Sequence, residues 1–278
     1  MARLVEETVG LIGAGSLAGA LVRGLVAAGT EPARLIVCNR TGTGLERYQR
    51  LGVATARAKS DVAARATTLL LLVKPKDAAG ALGELAPHFG PRHRLLSCVA
   101  GLPTAAIERA LPDGARVVRA MPNVAAEVRL SATGLAAGRH VGPDDIAAAT
   151  VLLEAVGSVV VVPEDQLDAV TAVAGSGPAY FFLLMEALLD AAASLGLPPG
   201  VAERLVRQTA MGAASLAATS ARTPAALRES VTSPGGTTAA ALEVLRTAGV
   251  PPAVGDAVRR AALRAAELGQ AWSPAPRD

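Results

Sequence analysis

The first half of the chain alternates short apolar runs with segments of helical periodicity. Four runs have the length and composition of buried strands, at residues 8–12, 34–38, 67–73 and 94–100. A fifth strand begins at Val117. Helical spacing lies between these runs, at residues 17–25, 45–51, 78–85 and 104–110. Apolar strands that alternate with helices predict a parallel sheet that is covered on both faces.

Two more strands complete this half of the chain. Short apolar runs at 134–137 and 158–163 predict strands that close the sheet, and the sequence between them predicts a helix over 144–156. The predicted fold class is therefore α/β. A Rossmann-type, doubly wound, mostly parallel sheet is expected over residues 1–164.

Beyond residue 164 the pattern is helical throughout. An acidic opening at 164–168 precedes helical segments at 179–195, 201–218, 237–248 and 253–268. The segment 179–195 is apolar on most of its surface and must be buried on most of it. A domain of this size cannot easily bury its large side chains alone: Phe181, Phe182, Leu183, Leu184, Leu188 and Leu189. We therefore expect residues 165–278 to form an all-helical dimerisation domain.

A glycine-rich turn follows the first predicted strand. Gly13-Ala14-Gly15-Ser16-Leu17-Ala18 lies between that strand and a helix that has Leu21 and Leu25 on the same face as Leu17. A strand, G-x-G-x-x-A and a helix in this order form the dinucleotide-binding fingerprint. The second glycine lets a pyrophosphate approach the helix N-terminus. Expected cofactor contacts are Ile12, Gly13, Ala14, Gly15, Ser16 and Leu17; the alternative is a turn with a structural role only.

The end of the second strand indicates which nicotinamide cofactor is used. An NAD-preferring site has an acid there that holds the ribose hydroxyls, but this chain has Asn39-Arg40-Thr41. Arg40 can pair with a 2′-phosphate, and Asn39 and Thr41 can hydrogen-bond it. NADPH is therefore predicted over NADH, which stays possible. The alternative is that Arg40 is a solvated surface residue.

Loops at the carboxyl ends of the later strands are further candidates, because ligands bind at that edge of a parallel sheet. Lys74 could also be no more than a solvated strand end. The predicted cofactor contacts in these loops are Val73, Lys74, Pro75, Ala100, Gly101, Met121, Pro122 and Asn123.

A second glycine-rich stretch, residues 231–238, lies between two helical segments and is called the signature loop below. Pro234 cannot continue the first helix, and Gly235 and Gly236 free the backbone. Thr237 or Thr238 can then cap the next helix. Backbone N–H groups and hydroxyls that converge at a helix start suit a small anion such as a carboxylate. The alternative is an ordinary capped turn.

Composition excludes several classes of function. The formal net charge is +3 and no basic run with interleaved aromatics is found, so no nucleic-acid partner is expected. Cys38 and Cys98 are predicted to be buried free thiols. His88, His93 and His140 are predicted at the surface, and no metal site is expected. No signal peptide or membrane span is predicted, which favours a soluble cytoplasmic protein.

Several of these segments together resemble one family. Residues 168–180, the signature loop 231–238, Val73-Lys74-Pro75 and Met121-Pro122-Asn123 are similar to the corresponding segments of pyrroline-5-carboxylate reductases. The similarity covers nearly the whole chain. It implies hydride transfer from NADPH to the imine carbon of 1-pyrroline-5-carboxylate, which gives L-proline. It also implies a homodimer through the helical half, often built further into a decamer.

The resemblance also assigns residues to the substrate, which in this family lies between the nicotinamide of one subunit and the signature loop of its partner. A threonine hydroxyl approaches the ring nitrogen in the family, and Thr238 holds that position here. Thr238 is therefore the predicted catalytic residue; the alternative is a helix cap without a substrate contact. The implied substrate-binding residues are Ser176, Ser233, Pro234, Gly235, Gly236, Thr237 and Thr238. The resemblance thus implies that the helical domain, residues 165–278, is also the substrate-binding domain.

Some positions depart from the family pattern. Val124-Ala125 replaces the usual Thr-Pro, Leu130-Ser131 replaces Glu-Gly, and Ala221 stands where many members carry an acid or a polar residue. Lys59, a predicted cofactor contact, replaces an asparagine that often contacts the adenosine. Two alternatives follow: a reductase of another cyclic imino acid, such as a six-membered ring, and a non-catalytic dinucleotide-binding regulator.

Overall fold

The computed structural model describes residues 7–270 and Trp272. Within these residues a single sheet has the strand order β3-β2-β1-β4-β5-β6-β7-β8. Neighbouring strands are parallel except for β6 and β7. The strands are β1 (Val9–Ile12), β2 (Leu35–Cys38), β3 (Ala54–Ala56), β4 (Thr68–Leu71), β5 (Arg94–Ser97), β6 (Arg116–Met121), β7 (Ser131–Ala137) and β8 (Gly157–Val161). The predicted mostly parallel sheet is confirmed.

Helices cover both faces of this sheet, as the apolar strands predict. Leu11 lies in the hydrophobic cluster under α1 and α6, whereas Ile12 lies in the cluster under α3, α4 and α5. Adjacent residues of β1 thus serve opposite cores, because side chains alternate along a strand. The helices of this part are α1 (Ser16–Ala27), α2 (Glu46–Gln49), α3 (Lys59–Arg65), α4 (Pro75–Leu85), α5 (Thr104–Ala110) and α6 (Pro143–Glu154).

Only helices follow β8 in the described residues, which confirms the helical prediction for the second half. A π-helical turn, Thr171–Gly175, lies between α7 and α8. The helices are α7 (Leu167–Val170), α8 (Gly177–Ser194), α9 (Pro199–Thr219), α10 (Pro224–Ser230), α11 (Thr237–Thr247) and α12 (Val250–Gln270).

The described chain forms two compact units. The sheet unit contains the residues up to Ser176 together with those from Ala261 on, and the helical unit contains Gly177–Arg260. Residues just after 164 belong with the sheet because Leu167 is buried and packs against β7 at Gly134. The boundary of 164/165 stays a sequence prediction.

Ion pairs with a buried arginine hold the segment that follows β8 against the sheet. Arg119 on β6 is buried and pairs with Glu164 at 3.2 Å and Asp168 at 3.7 Å. Glu164 also accepts a hydrogen bond from the Thr104 N–H at 2.8 Å. A buried arginine needs such partners, because an unpaired buried charge is costly.

The end of α12 also belongs to the sheet unit. Leu268 lies against Gly101, where an added Cβ would come within 2.9 Å of the Leu268 Cβ. The carbonyl of Trp272 accepts a hydrogen bond from Arg109 at 3.1 Å, and Trp272 packs on the core under α3, α4 and α5. The sheet unit is therefore completed by a segment that is far away in sequence.

The helical unit leaves its large apolar side chains exposed in the single chain. Phe181 is 69% exposed, and Leu183 and Leu184 of the same helix are also exposed. The helical span Glu164–Ser194 is long and apolar enough to cross a membrane, by length and composition alone. Apolar surface of this extent marks either such a span or an interface with another protein.

Histidine and cysteine placement tests two smaller predictions. His93 is only 4% exposed, so its prediction at the surface is wrong. Its Nδ1 accepts from the Gly90 N–H at 2.8 Å and its Nε2 lies 2.9 Å from the Ala63 carbonyl, so both ring nitrogens are occupied by backbone. Cys38 and Cys98 are free, as predicted; Cys38 is buried and Cys98 is partly buried.

Candidate cofactor cleft and substrate loop

The glycine turn has the geometry of a nucleotide-binding turn. Gly13 has φ of +120°, and a Cβ there would lie 2.7 Å from the Leu72 carbonyl, so only glycine fits. Its N–H donates to the Cys38 carbonyl at 2.9 Å, which ties the turn to the end of β2. A Cβ on Gly15 would meet no atom within 4 Å. Open space at the N-terminus of α1 is what a pyrophosphate requires.

A cleft of about 410 Å³ opens at this edge of the sheet. It brings together ten of the predicted cofactor residues: Ile12, Gly13, Ala14, Gly15, Asn39, Arg40, Thr41, Lys59, Val73 and Lys74. Asp77, Ala81 and Glu84 of α4 also line it and were not predicted. The sequence signal for these three was their position on the helix that follows Lys74.

Arg40 stands at the cleft as an available cation. It is exposed and forms no hydrogen bond to the residues that the structure describes. The Asn39 side chain donates to the Thr43 carbonyl at 2.9 Å, which shapes the loop around Arg40. Arg57 lies on the other side of that loop, with its Nε 3.2 Å from where a Cβ on Gly42 would be. An exposed guanidinium in the cleft lining, at Arg40, fits a phosphate monoester, and Arg57 adds a second cation beside the same loop.

Two residues that the sequence did not single out support the glycine turn. Arg47 donates to the carbonyls of Ala14 and Gly15, the latter at 3.1 Å, and to the Tyr48 hydroxyl at 2.9 Å. The Arg47 guanidinium also lies 4.8 Å from the centre of the Tyr48 ring. These bonds satisfy carbonyls of the turn, and the N–H groups at the start of α1 are left for a ligand.

Lys59 and Glu84 form an ion pair inside the cleft. The Lys59 Nζ lies 2.5 Å from the Glu84 carboxylate; the lysine is 7% exposed and the glutamate 50%. The hydrogen bond from Lys59 is the main cause of a lowered pKa for Glu84, and the charge of Arg40 contributes further. Glu84 is therefore an anion that faces the same space as Arg40.

The loops after β5 and β6 lie outside the lining of this cleft. Gly101 is covered by Leu268, and Met121 packs against Gly175 of the π-helical turn. Eight predicted cofactor residues are therefore not in the lining: five at the ends of β5 and β6 (Ala100, Gly101, Met121, Pro122 and Asn123), Pro75 at the start of α4, and Ser16 and Leu17 in α1. The cofactor roles of all the predicted residues stay predictions.

Asn123 has a clear structural role in addition. Its side-chain oxygen accepts from the Ala125 N–H at 3.0 Å, and its Nδ2 donates to the Ala174 carbonyl at 3.0 Å. Its own N–H donates to the Ser131 hydroxyl at 3.0 Å. The residue thus joins the end of β6 to the π-helical turn that precedes Ser176. Such turns are often found at functional sites.

The signature loop is a tight turn within the helical unit. Gly235 has φ of +72° and the Gly236 N–H donates to the Ser233 carbonyl at 3.0 Å. A side chain at Gly236 would collide with the Ser233 hydroxyl. The cap of α11 is Gly236 itself, so the prediction of a threonine cap is wrong. The backbone turn already places residue 236 as the cap, and Thr237 is the first helical residue.

Thr237 and Thr238 therefore keep their hydroxyls for other partners. Neither hydroxyl is hydrogen-bonded to the residues that the structure describes, and Thr238 is half-buried. Ser233 and Pro234 are exposed beside them. Exposed N–H groups at the start of an eleven-residue helix, with three hydroxyls nearby, suit a carboxylate.

The remaining predicted positions lie elsewhere on the two units. In the sheet unit, the Ser176 N–H donates to the Thr171 carbonyl at 2.8 Å, at the end of the π-helical turn. Val124 and Leu130 are exposed. Ala221 is exposed in the helical unit. A metal-binding cluster of three or more His, Cys, Asp or Glu is not found in the described part.

Two family models match the chain. The model described as pyrroline-5-carboxylate reductase dimerisation matches residues 164–268, and one described as NADP oxidoreductase, coenzyme F420-dependent, matches residues 8–101. The first match covers the helical unit with its exposed apolar faces. Homo-oligomerisation therefore accounts for those faces, which include the exposed apolar residues of α8.

Known proteins match over nearly the full length. A pyrroline-5-carboxylate reductase of Methanosarcina acetivorans is 37% identical over 95% of this chain and 99% of its own. The structure of a pyrroline-5-carboxylate reductase from Coxiella burnetii is 38% identical, with a TM-score of 0.90 over 95% of this chain and 99% of that one.

A more distant structure shares the fold. Pyrroline carboxylate reductase of Plasmodium falciparum, solved with NADP bound, is 24% identical, with a TM-score of 0.86 over 95% of this chain and 98% of that one. The identity and coverage of the nearer relatives, with the signature loop and the cofactor cleft, lead to one assignment. The chain belongs to the pyrroline-5-carboxylate reductase family of NAD(P)H-dependent oxidoreductases.

Proposed function

We propose that this chain reduces 1-pyrroline-5-carboxylate to L-proline with NADPH, as the last step of proline biosynthesis. The observation that carries the proposal is the free signature loop at the start of α11, in a chain that also has an open dinucleotide cleft. A non-catalytic regulator would need the cleft but has no use for a carboxylate site.

The cleft residues hold the cofactor, which supplies the hydride when bound. The N–H groups at the start of α1 bind the pyrophosphate, and Arg47 stabilises the turn through its hydrogen bond to the Gly15 carbonyl. Arg40 binds the 2′-phosphate, with Arg57 beside the same loop. Preference for NADPH over NADH rests on these two guanidinium groups and on the missing acid at the end of β2.

The signature loop holds the substrate by its carboxylate. The N–H groups that begin α11 and the Ser233 and Thr237 hydroxyls donate to it. The Thr238 hydroxyl is free to approach the ring nitrogen, where it orients the imine and stabilises the forming amine. An iminium is already electrophilic, so most of the rate comes from positioning the two reactants, which can contribute about 7–11 kcal/mol.

The family resemblance supports a dimer in which the loop of one subunit serves the cofactor of its partner, with assembly of dimers up to a decamer and a cytoplasmic location. The exposed apolar residues of α8 support the dimer directly. The decamer and the cytoplasmic location rest on the resemblance.

The test is reduction of 1-pyrroline-5-carboxylate by the purified protein, followed by the loss of reduced-cofactor absorbance with NADPH and, in parallel, NADH. We expect turnover with both and a higher kcat/KM with NADPH. A six-membered cyclic imino acid is the competing substrate, and a higher kcat/KM on it would replace the proposed substrate. No reduction of either ring by protein that binds NADPH contradicts the proposal.

The role of Thr238 needs a matched pair of variants. Thr238→Ala is expected to lower kcat by roughly tenfold to a hundredfold, because a hydroxyl at the reacting nitrogen is lost. Thr247→Ala, at the exposed end of the same helix, is the control and should keep wild-type kcat. Equal turnover in both variants would remove Thr238 from the mechanism.

A further inference from the structure

The buried lysine in the cofactor cleft is paired with a carboxylate that no fingerprint predicts. Lys59 begins α3 and Glu84 lies in the last turn of α4, and their charged atoms are 2.5 Å apart. Both residues line the cleft with Arg40 and Thr41. The lysine stem is packed in protein, whereas the glutamate is half exposed and borders the cleft.

An acid at this edge of a dinucleotide site has a known physical effect. A carboxylate accepts hydrogen bonds from the ribose hydroxyls of NADH and repels the 2′-phosphate of NADPH. This chain has no acid at the end of β2, but Glu84 brings one to the same cleft from α4. The charge of Arg40 reaches Glu84 and contributes to its lowered pKa, which places the two groups within electrostatic range.

We propose that the Lys59–Glu84 ion pair sets the choice between NADPH and NADH, because Lys59 neutralises a carboxylate that otherwise repels the 2′-phosphate. The inference rests on the proposed binding of a 2′-phosphate by Arg40. Its content is distinct, since it assigns part of the discrimination to a pair that bridges two helices, in addition to the loop after β2.

The charges around the cleft favour this role over a purely structural one. Arg40 and Arg57 are the cations beside the loop after β2, and Asp77 is a further acid in the lining. Without Lys59, the Glu84 carboxylate would face the cleft without its partner cation, in a lining that also contains Asp77 and Lys74. A tie that only holds α3 to α4 would change the stability of the protein and affect both cofactors equally.

Binding of two adenine nucleotides isolates the 2′-phosphate from the nicotinamide and from catalysis. Calorimetric titration of the full-length protein with ADP and with ADP that carries a 2′-phosphate gives a ratio of affinities. In Lys59→Met we expect the 2′-phosphorylated nucleotide to bind about tenfold more weakly, or about 1.4 kcal/mol. Binding of ADP should stay within about twofold. Methionine keeps the packed stem and removes only the charge.

Removal of the carboxylate should have the opposite sign. In Glu84→Gln we expect the 2′-phosphorylated nucleotide to bind about threefold more tightly, since Lys59 is released towards the phosphate. The double variant should regain most of what Lys59→Met loses, and this coupling separates a charge effect from local damage. Lys76→Met on the exposed side of α4 and Glu31→Gln are the controls and should leave the ratio unchanged.

Each outcome decides one of the two proposals. If the wild type prefers the 2′-phosphorylated nucleotide and the variants keep the wild-type ratio of affinities, the Lys59–Glu84 inference is overturned. The proposed preference for NADPH then stands. If the wild type binds both nucleotides equally but Lys59→Met lowers the ratio, the inference stands and the NADPH preference is overturned. Should Lys59→Met not fold, Glu84→Gln decides alone, because it changes a half-exposed side chain.

Discussion

The sheet unit and the helical unit contain equally apolar sequence but place it differently. Leu11, Leu35 and Leu70 are completely buried within one chain. In the helical unit Phe181 and Leu195 are 69% and 82% exposed. The sheet unit buries its core within one chain, whereas the helical unit leaves large apolar side chains exposed in a segment that matches a dimerisation family. Apolar content alone therefore does not tell which surface is core and which is interface.

The largest effect is expected from a charge in α8. Leu184→Asp should dissociate the oligomer, with the dissociation constant raised by at least a hundredfold, because an unpaired carboxylate would be buried at an interface. Light scattering after size-exclusion chromatography measures the mass. Ala79→Asp, on the exposed side of α4, is the control and should keep the native mass. An unchanged oligomer in Leu184→Asp would mean that α8 is not the interface.

A cavity in the sheet core tests whether the sheet unit is stabilised by burial within one chain. Leu70→Ala in β4 is expected to lower the free energy of unfolding by about 2–5 kcal/mol, because a fully buried side chain is truncated. Denaturant unfolding measures the loss, and the oligomeric mass in buffer should not change. The comparison fails if Leu70→Ala dissociates the oligomer as readily as Leu184→Asp does.

Removal of Arg47, which supports the glycine turn, should have an intermediate effect on cofactor binding. Arg47→Met should weaken NADPH binding by roughly tenfold, because the Ala14 and Gly15 carbonyls lose their donor and the turn loosens. Fluorescence titration with NADPH measures this, and Arg23→Met on α1 is the control. Wild-type affinity in Arg47→Met would show that the turn keeps its shape without the arginine.

A smaller loss is expected at Asn123. Asn123→Ala removes the bonds to Ala125 and Ala174 and should lower the free energy of unfolding by about 1–2 kcal/mol. If Asn123 acts only by positioning, kcat falls while the affinity for NADPH stays within twofold. A large loss of NADPH affinity would instead support the direct cofactor contact that the sequence predicts.

The smallest effect is expected from thiol chemistry. Burial raises the pKa of Cys38, and burial raises the pKa of Cys98 to about 12. The reactive thiolate is therefore scarce at pH 8, and it becomes more abundant only as the pH rises towards the pKa. Alkylation followed by mass spectrometry should be slow in both the wild type and Leu184→Asp. Fast labelling in the dissociated variant would show that the sheet unit depends on the oligomer.

Much of the fold was predictable from the sequence, because apolar strands and helical periodicity leave few arrangements. The glycine turn at Gly13 and the cleft around Arg40 followed from spacing alone. The small strand β3 and helix α3 were not predicted, since Ala54–Ala56 is short and Lys59–Arg65 is polar at its start. Local patterns of this kind carry little hydrophobic signal.

The site residues that the sequence did not predict were missed for one common reason. Glu84, Arg47 and Arg57 reach the cofactor cleft or its loops from parts of the chain that carry no motif, and only the packing of helices on the sheet brings them there. His93 was misplaced for the same reason, because its partners at Gly90 and Ala63 are set by the fold. The cap of α11 was missed because a backbone turn at Ser233 fixes the cap at Gly236.

The return of α12 to the sheet unit has a consequence for synthesis of the protein. Leu268 and Trp272 pack where Gly101 and Arg109 lie, yet the ribosome releases them only after the whole helical unit. The nascent sheet unit thus waits, with that part of its surface open, until α8 to α11 have emerged. The dinucleotide-binding half is therefore completed only after α8, the helix with the exposed apolar residues, has been synthesised.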